Sequence, residues 1–203
     1  MFNTQEKRER ALGTKLFLKA HRCNSVKCAT VRKPYRPGLH GKARHSSSEL
    51  GQQLNEKQKI KASYGIRESQ MEKVFSAASK NPGVTGNMMV QLLERRLDNS
   101  VFRLGLAPSR SVARHLVSHG HILVNGRKVT APSYLAKVKD KISIRPQSKG
   151  AGPLRDLSER LKKYEAPVWL FLDKEKAEGE VVALPKDLEF PFDVNMVVDY
   201  YSK

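Results

Sequence analysis

Residues 87–126 read NMMVQLLERRLDNSVFRLGLAPSRSVARHLVSHGHILVNG, and this stretch decides the fold. Met89, Val90, Leu93, Leu97, Val101 and Leu104 recur at three- and four-residue spacing, which predicts one amphipathic helix over 87–104. Gly105 stops it. Ser109 is an N-cap for a second helix, whose apolar face is Val112, Ala113, Leu116 and Val117 and whose terminus is Gly120. Ile122-Leu123-Val124, Asn125-Gly126 and Arg127-Lys128-Val129 then make a hairpin signal, because Asn-Gly supplies the two positive φ angles of a type I′ turn. Asp140-Lys141 followed by Ile142-Ser143-Ile144-Arg145 adds a turn and an alternating strand. The unit is helix, helix, small sheet, and the expected fold class is α+β.

Beyond a Gly/Lys/Pro hinge at 149–153, Leu154, Leu157, Leu161 and Tyr164 predict an amphipathic helix. Residues 168–172 and 180–184 read as two strands, and 193–201 as either a short helix or a strand. Towards the N-terminus, residues 49–80 are helical in character and broken near Tyr64-Gly65. Leu50, Leu54, Gln58 and Lys61 follow one stripe of the first helix. Met71, Val74, Phe75 and Ala78 follow one of the second, which Pro82-Gly83 ends. Residues 1–44 read as an irregular basic extension. Its last part, 32–44, holds two prolines and two glycines among basic side chains, so it is expected to be irregular and to take its shape from a surface.

Charge is segregated along these 203 residues. Residues 1–150 hold 30 Lys and Arg against 9 Asp and Glu, whereas 151–203 hold 8 against 11, within a net charge of +18. Folding gains nothing from crowding like charges, so a polyanion neutralising the first three-quarters is the economical explanation. The last quarter is left for solvent or another protein. No apolar run reaches membrane-spanning length, and the first ten residues lack the apolar core of a secretory signal. Two cysteines do not make a secreted disulfide scaffold. The expected setting is cytoplasmic, with no membrane partner.

Arg110 and Arg114 are four apart on the second helix, and Arg96 and Arg103 two turns apart on the first. Beside the hairpin tip, Arg127 and Lys128, they make a surface suited to phosphates, which the guanidinium fork grips bidentately. No major-groove recognition helix or aromatic stacking strand is present, so compact basic elements with a basic extension fit folded RNA. His115, His119 and His121 read as helix-end residues or RNA contacts rather than metal ligands, because Gly120 interrupts their geometry. Cys23 and Cys28 are half of a zinc site without a second cysteine pair, although His21, His40 and His45 leave a mixed site conceivable. No cofactor is expected. There is no P-loop, dinucleotide-binding glycine pattern or nucleophile elbow, and the scarcity of acids before 150 argues against a two-metal nuclease. The reading is a binding protein, not an enzyme.

Leu92-Leu93-Glu94-Arg95-Arg96-Leu97-Asp98-Asn99, Arg103-Leu104-Gly105, Ala113-Arg114 and Leu116-Val117-Ser118-His119-Gly120-His121-Ile122 closely resemble the bacterial-type small-subunit ribosomal protein four family. So do Val124-Asn125-Gly126, Pro37-Gly38-Leu39-His40-Gly41, Gln53-Leu54-Asn55-Glu56-Lys57-Gln58-Lys59, Tyr64-Gly65 and Tyr200-Tyr201-Ser202-Lys203. The likeness covers nearly the whole chain. The helix-helix-hairpin alone, of alpha-L type, would suggest only the RNA-binding module shared with pseudouridine synthases and tyrosyl-tRNA synthetases. The alternative is accordingly a stand-alone RNA-binding or RNA-modification accessory protein.

The resemblance implies a structural constituent of the small ribosomal subunit, monomeric there, and a primary binder of a multi-helix junction in the 5′ domain of 16S rRNA that nucleates assembly. It implies an extension over 1–44, a helical domain of 45–92 with 187–203, and an RNA-binding domain of 93–186. It implies contact with small-subunit protein five, placed at 165–201 and linked to decoding accuracy. It also implies mRNA contact near the entrance tunnel through Lys42 and Arg44, weakened here by Ser46, Ser47 and Ser48. The implied RNA-binding residues are Arg32, Lys33, Arg36, His40, Lys42, Arg44, Lys57, Lys59, Arg96, Arg103, Arg110, Arg114, His119, Arg127 and Lys128. Zinc-bearing relatives carry a first cysteine pair where this chain has Glu6 and Glu9, which implies a lost metal site at Cys23 and Cys28.

Overall fold

The Asn125-Gly126 turn forms as its residues require, with φ of 50° and 77°, and joins β1 (Ile122–Val124) to β2 (Arg127–Lys128). The structure, a computed structural model, describes residues 4–23, 25–43, 46–148, 150, 152–186 and 190–202. The chain divides into two units, Met1–Val90 with Glu189–Lys203, and Gln91–Leu188. The class is α+β, an N-terminal helical region and a small antiparallel sheet.

In the second unit, α7 (Leu97–Arg103) and α8 (Arg110–Ser118) precede the hairpin. β3 (Lys141–Ile144), α9 (Leu157–Lys162), β4 (Leu170–Asp173) and β5 (Glu178–Val181) follow it. The sheet runs β2-β1-β3-β5-β4, all antiparallel. Ile122 pairs with Ile144 and Val124 with Ile142, so all four side chains share one face. That face, with Val101, Leu104, Leu116, Val117, Leu161, Trp169 and Val181, forms the core. Each fully buried aliphatic side chain contributes roughly 1.5–3 kcal/mol. The β4–β5 turn is shorter than the sequence reading placed it, spanning 174–177 rather than 173–179. Asp173 Oδ1 accepts from the amides of Glu175 and Lys176 at 3.0 and 3.1 Å, and this local turn starts the reversal. Gly179 on β5 lies against Leu104, and a Cβ there would run into Leu104 Cδ2.

The single helix expected over 87–104 is two helices, α6 (Thr85–Glu94) and α7. Backbone pairing at long range causes the break. Leu97 N donates to Tyr134 O at 2.8 Å, Asp98 N to Pro132 O at 3.2 Å, and Ala136 N to Arg95 O at 2.8 Å. Arg96 takes an extended conformation at the N-cap of α7, so Arg96 and Arg103 do not share one helical face.

The first unit corrects the expectation of an irregular extension. Residues 4–32 carry α1 (Thr4–Leu12), α2 (Ala20–Cys23) and α3 (Ala29–Arg32), and α1 packs on α3 and on α4 (Glu49–Tyr64). The organising group is the buried Glu9 carboxylate, whose Oε1 accepts from Leu16 N and Leu18 N at 3.0 and 3.1 Å. Residues 33–43 are without helix or strand. The face of α4 is also rotated from expectation. Gln53, Lys57, Ile60 and Tyr64 are buried, whereas Leu50 is 58% exposed. The reason is α10 (Val194–Ser202), which packs on α4 and brings Tyr200 over Lys57. The segment left open between helix and strand is this helix. α5 (Glu68–Ser79) buries Met71 and Ala78 and stacks Phe75 on Tyr201 at 5.1 Å. No helix among the described residues is long and apolar enough to cross a membrane.

Candidate nucleic-acid interface

The Ser109 hydroxyl accepts from Val112 N at 3.3 Å and fixes the start of α8, so Arg110 and Arg114 leave its first two turns on one side. Two buried acids meet the arginines. Glu94 binds Arg103 in bidentate fashion, Nε and Nη2 each at 3.0 Å, and lies 4.0 Å from Arg110 Nη2. Asn99 bridges the two, donating to Glu94 Oε2 at 2.8 Å and accepting from Arg110 Nε at 2.8 Å. Asp98 takes Arg96 through two bonds of 3.1 and 3.0 Å, and Arg114 Nε at 3.0 Å. Arg110 also lies over the Phe102 ring at 4.7 Å. Four guanidinium groups against two carboxylates leave a surplus of two positive charges.

Exposure separates these four. The Arg103, Arg110 and Arg114 side chains remain 25, 18 and 32% exposed, while the Arg96 side chain is only 6% exposed. Arg96 is thus an internal counter-ion for Asp98 rather than part of the exposed basic surface. Arg127 and Lys128 are exposed at the hairpin tip, and Lys128 lies across Gly120. His115, His119 and His121 stand in a row with ring centroids 6.2 Å apart at each step, and His121 Nδ1 is 2.9 Å from Ser148 Oγ. His115 and His119 are exposed. Among the described residues no group of three or more His, Cys, Asp or Glu converges on a metal position.

In the first unit the predicted lysines on α4 turn inward. Lys57 is buried, bound to Glu68 at 2.9 Å and held 4.0 Å from the Tyr200 ring centroid. Lys59 is paired with Glu56 at 2.6 Å and mostly covered. Lys57 is therefore a structural cation, with its partners too distant in sequence for helical periodicity to reveal. Burial opposes ionisation of Glu68, but hydrogen bonds from Lys61, Tyr201 and Lys57 outweigh it and hold Glu68 down from an ordinary 4.5 to about 2. A depressed carboxylate stabilises the fold above its unfolded value, and that contribution is lost as pH falls from about 4.5 towards 2. The acid limb of the thermal midpoint over this window is expected to flatten in E68Q, which calorimetry checks.

The exposed base of this unit lies elsewhere. Lys7, Arg10, Lys27, Arg32 and Lys33 line a cleft of about 680 Å³ in which the one acid, Glu6, is paired with Arg22 at 3.0 Å. Beside it, Lys15, Arg36 and Lys42 line a second cleft of about 340 Å³ around Tyr35. Arg10 joins the two. It donates to the carbonyls of Lys33 and Tyr35 at 3.1 Å and lies 5.1 Å over the Tyr35 ring, with Lys42 Nζ 5.3 Å from the same ring. His40 is exposed. Arg44 and His45 lie outside the described residues. Lys7 and Arg10 escaped the sequence reading, although their three-residue spacing was a usable signal once a helix is granted there.

The cysteine region does not fit zinc. Cys23 and Cys28 are buried free thiols, and Glu6 and Glu9 are committed to Arg22 and to backbone amides. Burial, with the Glu9 charge, pushes the Cys23 thiol up to about 11. Cys28 Sγ is 3.0 Å from Thr30 Oγ1.

Residues 3–94 match the family described as Ribosomal protein S4/S9 N-terminal domain, and residues 95–142 match the S4 domain. The small ribosomal subunit protein uS4 of Halothermothrix orenii is 49% identical over 193 residues, 94% of this chain and 93% of that one. Those of Caldicellulosiruptor bescii and Acetivibrio thermocellus are 48 and 47% identical over the same shares. Identity at this level across almost the whole length leaves one assignment: the chain belongs to the uS4 family of small ribosomal subunit proteins.

Proposed function

We propose that this uS4-family protein seats on a multi-helix junction in the 5′ domain of 16S rRNA and nucleates small-subunit assembly there. The coarser statement follows from the family: it is a ribosomal RNA-binding protein of the small subunit, cytoplasmic, and not an enzyme. The observation that carries the finer reading is the set of Arg103, Arg110 and Arg114, partly exposed and fixed in place by buried acids. Rigid forks at fixed spacing suit the backbone of a folded RNA, which is read by shape. The basic clefts of the first unit offer a further phosphate surface, with Arg32, Lys33, Arg36 and Lys42 among their lining.

Contact with small-subunit protein five is assigned to the β4–β5 end of the sheet. β4 is an edge strand, and Phe171 is 61% and Val168 100% exposed near Asp173, Glu175 and Glu178, a mixture unsuited to phosphate. Contact with mRNA near the entrance tunnel is assigned to the exposed loop carrying Arg36, His40 and Lys42. Footprinting on naked 16S rRNA tests the main reading. Protection is expected at one junction, and the binding constant is expected to fall with salt by a log–log slope of roughly 0.7–0.9 per neutralised phosphate. A nearly flat salt dependence would overturn it.

A further inference from the structure

We infer that Glu94 and Asp98 are positioning residues for RNA recognition: two buried carboxylates that set the spacing and direction of the arginines facing the phosphates. The inference rests on the proposed RNA-binding reading and adds an anionic component to it. Three guanidinium groups crowded on one side repel each other, and each arginine side chain is rich in rotamers. A carboxylate that grips a guanidinium along its Nε–Nη2 edge cancels repulsion and leaves the planar fork one orientation. Glu94 does this to Arg103, with Nε and Nη2 both at 3.0 Å, and Asn99 extends its hold to Arg110. Asp98 holds Arg114 along the same edge through Oδ2 alone, and it also accepts from the interior Arg96 and from the Asn99 amide. The acids are 0 and 3% exposed, so they do not themselves meet the RNA and repel it directly.

The sign of one measurement separates positioning from charge balance. E94Q keeps the shape of the side chain and adds one positive charge to the protein. If Glu94 only dilutes the positive field, E94Q binds a transcript of the 16S 5′ domain more tightly, most of all at low salt. If Glu94 positions the forks, E94Q binds about tenfold more weakly, the worth of one charge-assisted contact, despite its added charge. Titrations at a temperature well below the thermal midpoints of both proteins keep stability out of the comparison. Should E94Q not fold, R103K carries the test, because it retains the charge and removes the fork. A similar loss is expected, and affinity equal to that of the parent protein in either variant overturns the inference. The R103A/R110A double change reads the RNA contact itself. No loss of affinity there would dismiss the RNA reading of this face, whereas a loss there beside a tighter E94Q would dismiss only the positioning role.

Discussion

Changing Arg110 and Arg114 together to alanine is expected to weaken binding to 16S rRNA about a hundredfold near physiological salt. Each change removes one charge-assisted phosphate contact, on the order of 1.5 kcal/mol apiece. The log–log salt slope is expected to fall by roughly 1.4–1.8, the share of two phosphates. The structure does not let this double change spare stability. Arg110 supports Asn99 and lies over Phe102, and Arg114 donates to the buried Asp98. A lowered thermal midpoint should therefore accompany the lost affinity. The lysine pair R110K/R114K separates the two effects, because charge and salt slope are retained while the bidentate grip is not. Filter binding across a salt series, with denaturation curves for the same proteins, measures both. Unchanged affinity in the alanine pair would remove this face from the RNA contact.

Replacing Asp98 with alanine should be the most damaging single change in the second unit, costing about 3–5 kcal/mol. Asp98 accepts from Arg96 twice, from the Asn99 amide at 2.9 Å, and from Arg114. Alanine leaves the Arg96 charge inside the protein without its partner, and Arg96 is only 5% exposed. Against a total stability of roughly 5–15 kcal/mol for a natural domain, such a loss is enough to leave much of the population unfolded. D98N, which keeps the shape and part of the hydrogen bonding, should cost less. Urea unfolding of both variants checks the order, and equal midpoints for D98A and the parent protein would contradict the role given to this pair.

The second unit was legible where its signals are local. The Ser109 cap, the Asn125-Gly126 turn and the apolar stripe of α8 each act within four residues, and each stands as read. The helix break at Arg95–Arg96 was not legible, because its cause is the 132–136 segment, some forty residues away. Burial of Lys57 was hidden for the same reason: its cover is Tyr200, and one lysine in a basic helix looks like any other. The helical stretches of residues 4–32 were misread through composition. Their charge suggested irregular chain, but two of their acids, Glu6 and Glu9, are buried and organise the helices around them. The arginines were found as residues but not as an arrangement, since spacing along the helix says nothing of the acids beneath them.

α10 completes the first unit, yet it is translated after all of residues 91–188. At about 5–20 residues per second, that interval lasts roughly 5–20 s. For this time Lys57, Glu68 and Phe75 exist without Tyr200 and Tyr201. A nascent chain can thus finish its sheet while its beginning still waits for its end. Any synthesis that stops before α10 yields a first unit in which Lys57 lacks its Tyr200 cover.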